Sequence, residues 1–427
     1  MEYYRRELLP YVNFTALRTD KFKTGCLSTA LLTQLSRETA SENAVLPYVL
    51  RRGTAYLPDM QALSARLDDL YGASIEPQVR KLGEIHAVGF RAGFIEDHLL
   101  PGNPAVLEDV IGLMSQLWLS PNTRGGLLQP DYVDGERQKL IQRLEAMRND
   151  RRGWAVRRLM ENMCAFEDYA VSAYGTVEEA ENLHYVKLSK DYRELLATSP
   201  MEIFYCGSRD GEQVAELLEN ALMLMPRGEI DLELGTDVRM NALEAESRYF
   251  TEEMDVSQGN LALGFRLGAC MEDPDEAAIR VFNALYGGCV TSKLFANVRE
   301  KLSLCYYASS SVDLHKGLLT VSSGIEFDQY EPALAEILAQ LDAIRAGEIT
   351  PEELEGAKKD VASTLRSVPD NPAALEDFTL RQTVQGLDAS PLDIAALAEG
   401  VTARDVVDIA RGVELDAVYF LRGEDDA

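Results

Sequence analysis

The chain has 427 residues and a formal net charge of −28 at pH 7. This acidity, without any stripe rich in lysine or arginine, argues against nucleic acid as a partner. No apolar run approaches the ~20 residues of a membrane span, so we expect no membrane partner. At ~100–200 residues per domain, the length predicts two to four domains.

The start of the chain, MEYYRRELLP, shows neither the apolar core nor the small-residue cleavage site of a signal peptide. We therefore expect a cytoplasmic protein. The six cysteines are scattered without any CxxC pair. In a reducing compartment, such cysteines are interpreted as buried small hydrophobic residues rather than as metal ligands or redox groups.

The first predicted helix covers residues 41–52 and stops at the Gly-Thr pair 53–54. Thr39 and Glu42 are predicted to form a capping box at its start. Pro47 lies inside this helix, where proline removes a backbone hydrogen bond at a cost of roughly 3 kcal/mol. Glu42 is the one residue of this helix with a side chain that could hold a metal ion.

An internal repeat is the main organising feature of the chain. The segment NAVLPYVLRRGTAYLPDMQALSARLDDLYGAS (43–74) resembles the later segment DEAAIRVFNALYGGCVTSKLFANVREKLSLCYYASS (275–310). In each, a periodic helix, a glycine stop, a loop, a second helix and a tyrosine follow one another. At one constant offset the matched pairs include Leu50 with Leu285, Gly53 with Gly288, Met60 with Phe295, Leu63 with Val298, Leu67 with Leu302, and Tyr71 with Tyr306.

A second pair of segments agrees with this duplication. Residues 129–144 match residues 350–365, and both are predicted to be long surface helices with proline at the first position. The two halves close on similar predicted strands, MEIFYCG and AVYFLRG. We therefore predict an α+β protein with domains 1–225 and 241–427, joined by a polar linker at 226–240.

Over nearly the whole chain, this pattern resembles the pitrilysin/insulinase family of zinc peptidases, which includes the mitochondrial processing peptidases. Within the family it is most similar to a zinc-less bacterial branch, the YmfF-like proteins. The resemblance implies two tandem homologous α/β rolls of metallohydrolase type, each an antiparallel-rich sheet covered by helices. In the family, such rolls form a chamber around an unfolded peptide.

Family members carry an HxxEH signature on the first helix, followed closely by a Gly-Thr stop. The two histidines bind zinc and the glutamate activates the zinc-bound water. Counted back from the stop in this sequence, the signature positions fall on Ala44, Pro47 and Tyr48. The third ligand is a glutamate seven residues after another glutamate; here Glu136 matches the first, and the ligand position is Arg143. The resemblance therefore implies a degenerate zinc site, with no metal, no cofactor and no catalytic residue.

The histidine count supports the same interpretation without reference to any family. The four histidines are at 86, 98, 184 and 315, and no two of them lie within four residues. The helical pair of histidines that zinc peptidases use cannot be assembled from them. A site built from distant residues remains an alternative, and otherwise each histidine is expected to be a surface or packing residue.

The second half retains an arginine and, seven residues later, a tyrosine. In the family this pair binds the substrate backbone opposite the zinc, which implies substrate binding by Arg299 and Tyr306. A guanidinium can donate to peptide carbonyls, and a phenol can donate to an oxyanion. The alternative is structural: a helix-surface arginine and a tyrosine packed in the sheet. Tyr71, the repeat partner of Tyr306, favours that alternative, because a tyrosine in the first half cannot serve catalysis. Ser64 occupies the repeat position of Arg299, however, so only the second half has both residues of the pair.

The segment SAYGTVEEAENL (172–183) resembles a family segment in which Tyr-Gly opens a loop before a helix. Tyr174 and Gly175 are therefore expected to shape a turn, with Thr176 as the helix N-cap.

Together these features predict a catalytically inactive member of the family that is not an enzyme by itself. The leading hypothesis is the non-zinc subunit of a heterodimeric peptidase, with a zinc-containing sister protein as partner and an unfolded peptide as substrate. In that hypothesis the chain helps to form the peptide-holding chamber and supplies Arg299 and Tyr306 to the partner's active site. The alternative is a peptide-binding or scaffold protein without any peptidase partner. A metal-dependent hydrolase acting alone is the reading with the least support.

Overall fold

A computed structural model describes residues 1–244, 246–271 and 276–423. None of the helices in these ranges combines the length and the apolar content that crossing a membrane requires. The strands, in chain order, are β1 Glu2–Leu9, β2 Val12–Arg18, β3 Thr24–Gln34, β4 Ser74–Leu82, β5 Ile85–Ile95, β6 Thr123–Arg124, β7 Leu127–Leu128, β8 Met201–Gly207, β9 Arg248–Met254, β10 Gly259–Arg266, β11 Tyr307–Asp313, β12 Leu318–Ile325 and β13 Glu414–Gly423.

The helices are α1 Ala40–Leu50, α2 Met60–Asp69, α3 Val106–Leu119, α4 Pro130–Ala146, α5 Arg151–Met163, α6 Val177–Glu181, α7 Tyr185–Thr198, α8 Gly211–Leu222, α9 Glu276–Asn283, α10 Tyr330–Arg345, α11 Pro351–Ser367, α12 Pro372–Val384, α13 Pro391–Gly400 and α14 Ala403–Gly412. Two further segments, Ala284–Gly288 and Leu294–Lys301, are π-helical. Single 3₁₀ turns lie at Asp97–Leu99, Met147–Asn149, Asp168–Ala170, Phe327–Gln329 and Val368–Asp370.

The strands form two principal sheets with related topologies. The first sheet has the order β1-β2-β8-β3-β5-β4, and the second has the order β9-β13-β10-β12-β11. In each sheet one pair is parallel, β2 with β8 and β9 with β13, while the other neighbours are antiparallel. Apart from β1, the strands of the second sheet follow those of the first in the same order. The duplication predicted from the sequence is therefore present in the strand connections, and the predicted α+β fold with antiparallel-rich sheets is confirmed.

The chain divides into two compact units that exchange two segments. Unit 1 comprises Met1–Glu145, Val171–Gly235 and Pro372–Leu380, and unit 2 comprises the described residues of Ala146–Ala170, Thr236–Asn371 and Arg381–Ala427. The predicted domains, 1–225 and 241–427, do not include this exchange. The change of unit at residues 235 and 236 falls inside the segment predicted to be a linker.

Helix α5 shows why the first exchanged segment belongs to unit 2. Its apolar residues Leu159 and Met163 are buried in a cluster with Ala262 of β10 and Tyr419 of β13. Gly264 permits this close packing, because a Cβ at that position would overlap the Met163 sulfur. Burial of this apolar face favours the unit that offers the matching sheet surface.

The core of unit 1 forms around Trp118 of α3, which is fully buried. Its ring packs edge-on against Phe90 of β5 at 5.0 Å between centroids. Its indole nitrogen donates to the Thr29 hydroxyl of β3 at 2.9 Å, so the one polar atom of the side chain is satisfied. This packing fixes α3 on the sheet.

The two predicted long helices are confirmed, and the predicted cap of α1 is wrong. Helices α4 and α11 each begin at a proline and extend for 17 residues. At α1, the Thr39 side chain makes no capping hydrogen bond to any residue that the structure describes. The Glu42 carboxylate does not reach back to the cap, because it accepts a hydrogen bond from Lys187 instead.

Candidate functional site

Helix α1 carries the three positions that correspond to the zinc signature. Ala44 is fully buried, Pro47 is buried and Tyr48 is half-buried. The helix continues past the proline, and the Pro47 carbonyl accepts a hydrogen bond from the Arg51 amide at 3.0 Å. Neither Ala44 nor Pro47 has a side-chain atom that could bind a metal or act as a base.

Arg143 of α4, at the position of the third ligand, contacts Tyr48 directly. Its Nη1 donates to the Tyr48 hydroxyl at 2.8 Å. Its Cζ lies over the Tyr48 ring at 4.7 Å from the centroid and over the Tyr174 ring at 5.1 Å. Both contacts are within the range of favourable cation–π interactions. We refer to Tyr48, Arg143 and Tyr174 as the Tyr–Arg–Tyr cluster.

The turn that holds Tyr174 is fixed by its neighbours in the sequence. Gly175 has a φ of +67°, a left-handed conformation that favours glycine. A Cβ at Gly175 would also overlap the Ser41 hydroxyl of α1. Thr176 caps α6 in a complete capping box with Glu179. The predicted turn at Tyr174 and Gly175 and the predicted N-cap at Thr176 are confirmed.

The buried acidic residues of α1 and α4 are already paired with basic side chains. Glu42 of α1 is bound by Lys187, which also contacts Asp191 at 3.1 Å. Glu136 of α4 accepts from Arg52 at 2.6 Å and from Lys139 at 2.9 Å. Both glutamates are buried, so these pairs satisfy carboxylates that would otherwise be costly to bury.

Zinc, the metal that the family uses, does not fit this arrangement. A guanidinium only donates hydrogen bonds and stays protonated, so Arg143 would repel a cation. The Tyr48 hydroxyl lone pairs face that guanidinium. Within residues 1–244, 246–271 and 276–423, no three His, Cys, Asp or Glu side chains are grouped so that they could hold a metal ion. The arrangement suits the binding of an oxygen atom with negative charge rather than of a metal.

The second candidate pair lies in unit 2, where a π-helical segment takes the place that α2 has in the first half. Arg299 belongs to Leu294–Lys301, and the Leu302 amide bonds to the Asn297 carbonyl five residues earlier. The Arg299 side chain is 42% exposed, and its guanidinium lies 4.6 Å from the Phe295 ring centroid. Such segments are rare and often occur at functional sites.

Tyr306 lies just before β11 and is 59% exposed, so it is not packed in the sheet. Its amide donates to the Gly324 carbonyl at 2.8 Å, and its hydroxyl donates to the Glu326 carboxylate. This hydrogen bond and the charge of Glu326 raise the pKa of Tyr306. Burial raises the pKa of the Cys305 thiol, which precedes Tyr306 in the sequence, and the charge of Arg299 acts to lower it.

The sequence analysis missed two partners in these sites. At Tyr174 the sequence predicted only a turn. The contact of its ring with Arg143 depends on how α4 packs beside α1, which no local pattern indicates. Glu326 follows β12 and meets Tyr306 only because β11 and β12 pair in the observed register, with Tyr307 opposite Gly324. A register prediction for this hairpin would have placed Glu326 near Tyr306.

A comparison with protein families and known proteins gives a consistent result. Residues 182–361 match the family model described as the peptidase M16 inactive domain. The chain is 32% identical over 412 residues to the probable inactive metalloprotease YmfF of Bacillus subtilis, covering 96% of each chain.

Solved structures show the same architecture. A conserved protein from Enterococcus faecalis V583 superimposes with a TM-score of 0.90 at 28% identity, over 100% of this chain and 99% of that one. A peptidase M16 inactive domain from Pseudomonas fluorescens superimposes with a TM-score of 0.83 at 16% identity, over 100% of this chain and 99% of that one. At 16% identity, the second likeness concerns the fold alone.

Proposed function

This chain belongs to the M16 peptidase family as an inactive metalloprotease homologue, and from this premise we propose that it is the non-zinc subunit of a heterodimeric peptidase. Its partner is a zinc-containing sister protein of the same family, and its ligand is an unfolded peptide. The chain helps to form the peptide-holding chamber and supplies Arg299 and Tyr306 to the peptide bound at the partner's zinc. The complex works in the cytoplasm.

The observation that carries this proposal is the contrast between the two halves. In the first half, the positions predicted for the zinc ligands hold Ala44, which has no ligand atom, Tyr48, whose hydroxyl accepts from Arg143, and the cation Arg143 itself. In the second half, Arg299 and Tyr306 are present at the family spacing and both side chains are exposed. A structural tyrosine packed in the sheet would be buried, so the exposure of Tyr306 favours a role in contacting a ligand.

The chemistry available to the pair is binding and orientation rather than hydrolysis. Arg299 has N–H donors in a rigid planar fork that matches peptide carbonyl oxygens. The Tyr306 hydroxyl can donate to an oxygen that becomes negative during peptide cleavage, provided that it leaves Glu326. In this proposal, the water that attacks the peptide is activated on the zinc of the partner subunit.

The test is co-expression with a zinc-bearing sister from the same organism, followed by cleavage of a fluorogenic peptide. Arg299→Ala and Tyr306→Phe are each expected to lower kcat/KM of the complex by about a hundredfold or more, the order of magnitude for losing one transition-state donor. Tyr71→Phe is the matched control, because Tyr71 occupies the repeat position of Tyr306 and is similarly exposed. Unchanged cleavage by the Arg299 and Tyr306 variants would refute the role in trans.

A peptide-binding or scaffold protein without a peptidase partner is the second candidate. The hydrogen bond from Tyr306 to Glu326 favours it, because that hydroxyl is already engaged. This function predicts binding of a peptide or protein without any gain of cleavage with a sister. Whether a neighbouring gene encodes a homologue with an intact HxxEH signature discriminates between the two.

A further inference from the structure

We propose that the Tyr–Arg–Tyr cluster binds a carboxylate of a peptide, either at its C-terminus or on an acidic side chain, through the guanidinium of Arg143. The inference rests on the proposed function only in taking a peptide as the ligand of this chain. It assigns a ligand to the place where active family members hold zinc.

The cluster holds the guanidinium in a defined orientation. The rings of Tyr48 and Tyr174 both lie within about 5 Å of the Arg143 Cζ, and Tyr48 accepts one N–H. A guanidinium has five N–H donors, so others remain for a ligand. Arg143 is exposed, and the loop that carries Tyr174 is fixed by Gly175 and the capping box at Thr176. Donors that are already oriented lose less entropy when a ligand binds.

The electrostatic environment leaves the charge of Arg143 for a ligand. The buried carboxylates of α1 and α4, Glu42 and Glu136, are bound by Lys187 and Arg52. Among the residues that the structure describes, no carboxylate lies within ion-pair distance of Arg143; its partners are the two tyrosines. In a chain with a net charge of −28, Arg143 is thus an exposed cation whose hydrogen-bond and ring partners are tyrosines.

The number and shape of the donors indicate the class of ligand. A carboxylate carries one negative charge and presents two oxygens that match the planar edge of a guanidinium. A phosphate carries more charge and is usually held by several cations, whereas this cluster has one. A neutral peptide carbonyl would bind more weakly, because hydrogen bonds to charged groups are about twice as strong as neutral ones.

The experiment uses the full chain and three acetylated pentaalanine probes. The first has a free C-terminal carboxylate, the second is its amide, and the third is an amide with glutamate at the central position. Binding is followed in every variant by the ¹³Cζ NMR signals of Tyr48 and Tyr174, which contact Arg143, and in the wild type also by the ¹⁵N-edited signal of the Arg143 Nε–H group. We expect the free acid to bind at least about tenfold more tightly than the plain amide, as for a charge-assisted bidentate contact. The glutamate probe shows whether a side-chain carboxylate serves equally well.

Variants separate the cluster from non-specific attraction. Arg143→Gln is expected to abolish the preference for the acid, and Arg143→Lys, which keeps the charge without the planar fork, to retain only part of it. Arg152→Gln is the matched control: Arg152 is also exposed and lies 4.4 Å from the centroid of a tyrosine ring, that of Tyr307. It is expected to leave the preference unchanged. Melting temperatures verify that each variant is folded.

Equal effects of acid and plain amide on the Arg143 signal, or no effect of any probe up to about 100 mM, would overturn the inference. So would loss of the preference in Arg152→Gln with its retention in Arg143→Gln. Failure of the proposed function is detected separately by the cleavage assay with the sister protein. Carboxylate binding without sister-dependent cleavage would leave this inference standing and remove the heterodimer.

Discussion

Arg80 and Glu376 form a buried two-point ion pair. Nη2 of Arg80 donates to Oε1 of Glu376 at 2.6 Å and Nη1 donates to Oε2 at 3.0 Å. The two side chains are 13% and 1% exposed, and the Ser28 hydroxyl donates to the same carboxylate at 2.8 Å. Through this carboxylate, the segment Pro372–Leu380 is held within unit 1, whose other residues all precede residue 236.

The other exchanged segment is held in unit 2 by a similar contact. Glu167 accepts from Arg266 at 2.6 and 3.1 Å and pairs with Lys316 at 2.7 Å. Although burial acts to raise it, hydrogen bonds from Arg266 and Lys316 hold the pKa of Glu167 below its ordinary value. Both exchanged segments therefore place a buried glutamate on an arginine of the receiving unit.

Loss of the Glu376 charge is expected to destabilise the protein substantially. Glu376→Gln leaves the buried Arg80 guanidinium without its main counter-charge. Breaking one side of a buried pair costs about 3–5 kcal/mol, and we expect about 3 kcal/mol because Asp377 remains 3.5 Å from Arg80. The free energy of unfolding from urea titration measures the effect.

The control for this prediction is an exposed pair in the same unit. Arg66 and Asp109 are 2.9 Å apart with side chains 37% and 47% exposed, so Asp109→Asn should cost less than about 1 kcal/mol. Equal costs for the two substitutions would contradict the prediction. The double variant Arg80→Met with Glu376→Met should recover part of the loss, because it removes both charges together.

The exchange marks the limit of what the sequence could predict. The constant offset between matched residues predicted the duplication, because repeated units keep the same order of helices and strands. The two sheets confirm it, since their strands are connected in the same order. The sequence pattern of α5 does not indicate which sheet receives its apolar face. Arg80 and Glu376 are far apart in sequence, and no local pattern indicates that they meet. The same holds for Tyr48 and Arg143, whose contact depends on the packing of two helices.

A methyl group at Gly264 is expected to push α5 away from the second sheet. In Gly264→Ala the new Cβ would overlap the Met163 sulfur and crowd Leu159. Overpacking of this kind costs about 1–3 kcal/mol. Met163→Ala in the same chain should recover part of this loss by making room, which is measured as a coupling energy in a double-mutant cycle.

Gly112 provides the matched control for that substitution. It lies inside α3, and beyond its chain neighbours and its own helix backbone no atom of the described residues is within 4 Å of the position that its Cβ would take. Gly112→Ala should be neutral or stabilising by up to about 1 kcal/mol, because alanine favours the helix. If Gly264→Ala changes the free energy of unfolding as little as Gly112→Ala does, the close approach of α5 does not restrict position 264.

His86 is expected to make the protein less stable in mild acid. Burial, with a smaller contribution from the charge of Lys81, lowers the pKa of His86 from 6.5 to about 4. The unfolded chain binds this proton below pH 6.5, whereas the folded chain binds it only near pH 4. Stability is therefore lost as the pH falls through this window, by about 2 kcal/mol at pH 5 relative to pH 7.5.

Unfolding of wild type and His86→Leu by urea at both pH values isolates this contribution. The difference between the two pH values should shrink by about 2 kcal/mol in His86→Leu. His184→Asn is the control: His184 caps α7 through its side chain, a role that asparagine can retain, and the pH dependence should stay as in the wild type. An unchanged pH dependence in His86→Leu would show that His86 is not the group responsible.

The carboxylate of Glu326 is expected to control the ionisation of Tyr306. Glu326→Gln removes the negative charge and leaves a weaker acceptor for the hydrogen bond from the Tyr306 hydroxyl. The pKa of Tyr306 should therefore fall toward the ordinary tyrosine value. Titration of ¹³Cζ-labelled tyrosine by NMR measures the shift. Asp328→Asn is the control, because the Asp328 carboxylate accepts a hydrogen bond from Gln329 and not from Tyr306. It should leave the pKa of Tyr306 unchanged. If Asp328→Asn lowered the pKa of Tyr306 more than Glu326→Gln does, Glu326 would not be the carboxylate that raises this pKa.

Restoration of a zinc site is expected to require several substitutions together. The contact between Tyr48 and Arg143 places two of the predicted ligand positions within reach of one ion, and Ala44 lies one helical turn before Tyr48. The triple variant Ala44→His, Tyr48→His, Arg143→Glu should therefore bind about one zinc per chain after chelator treatment and dialysis, measured by elemental analysis. Arg143→Glu alone should bind none, since Ala44 supplies no ligand atom.

The buried Ala44 has little room for a larger side chain, so the triple variant should be less stable without zinc than with it. Stoichiometric zinc in the wild type, or none in the triple variant, would show that these positions do not converge as a ligand set.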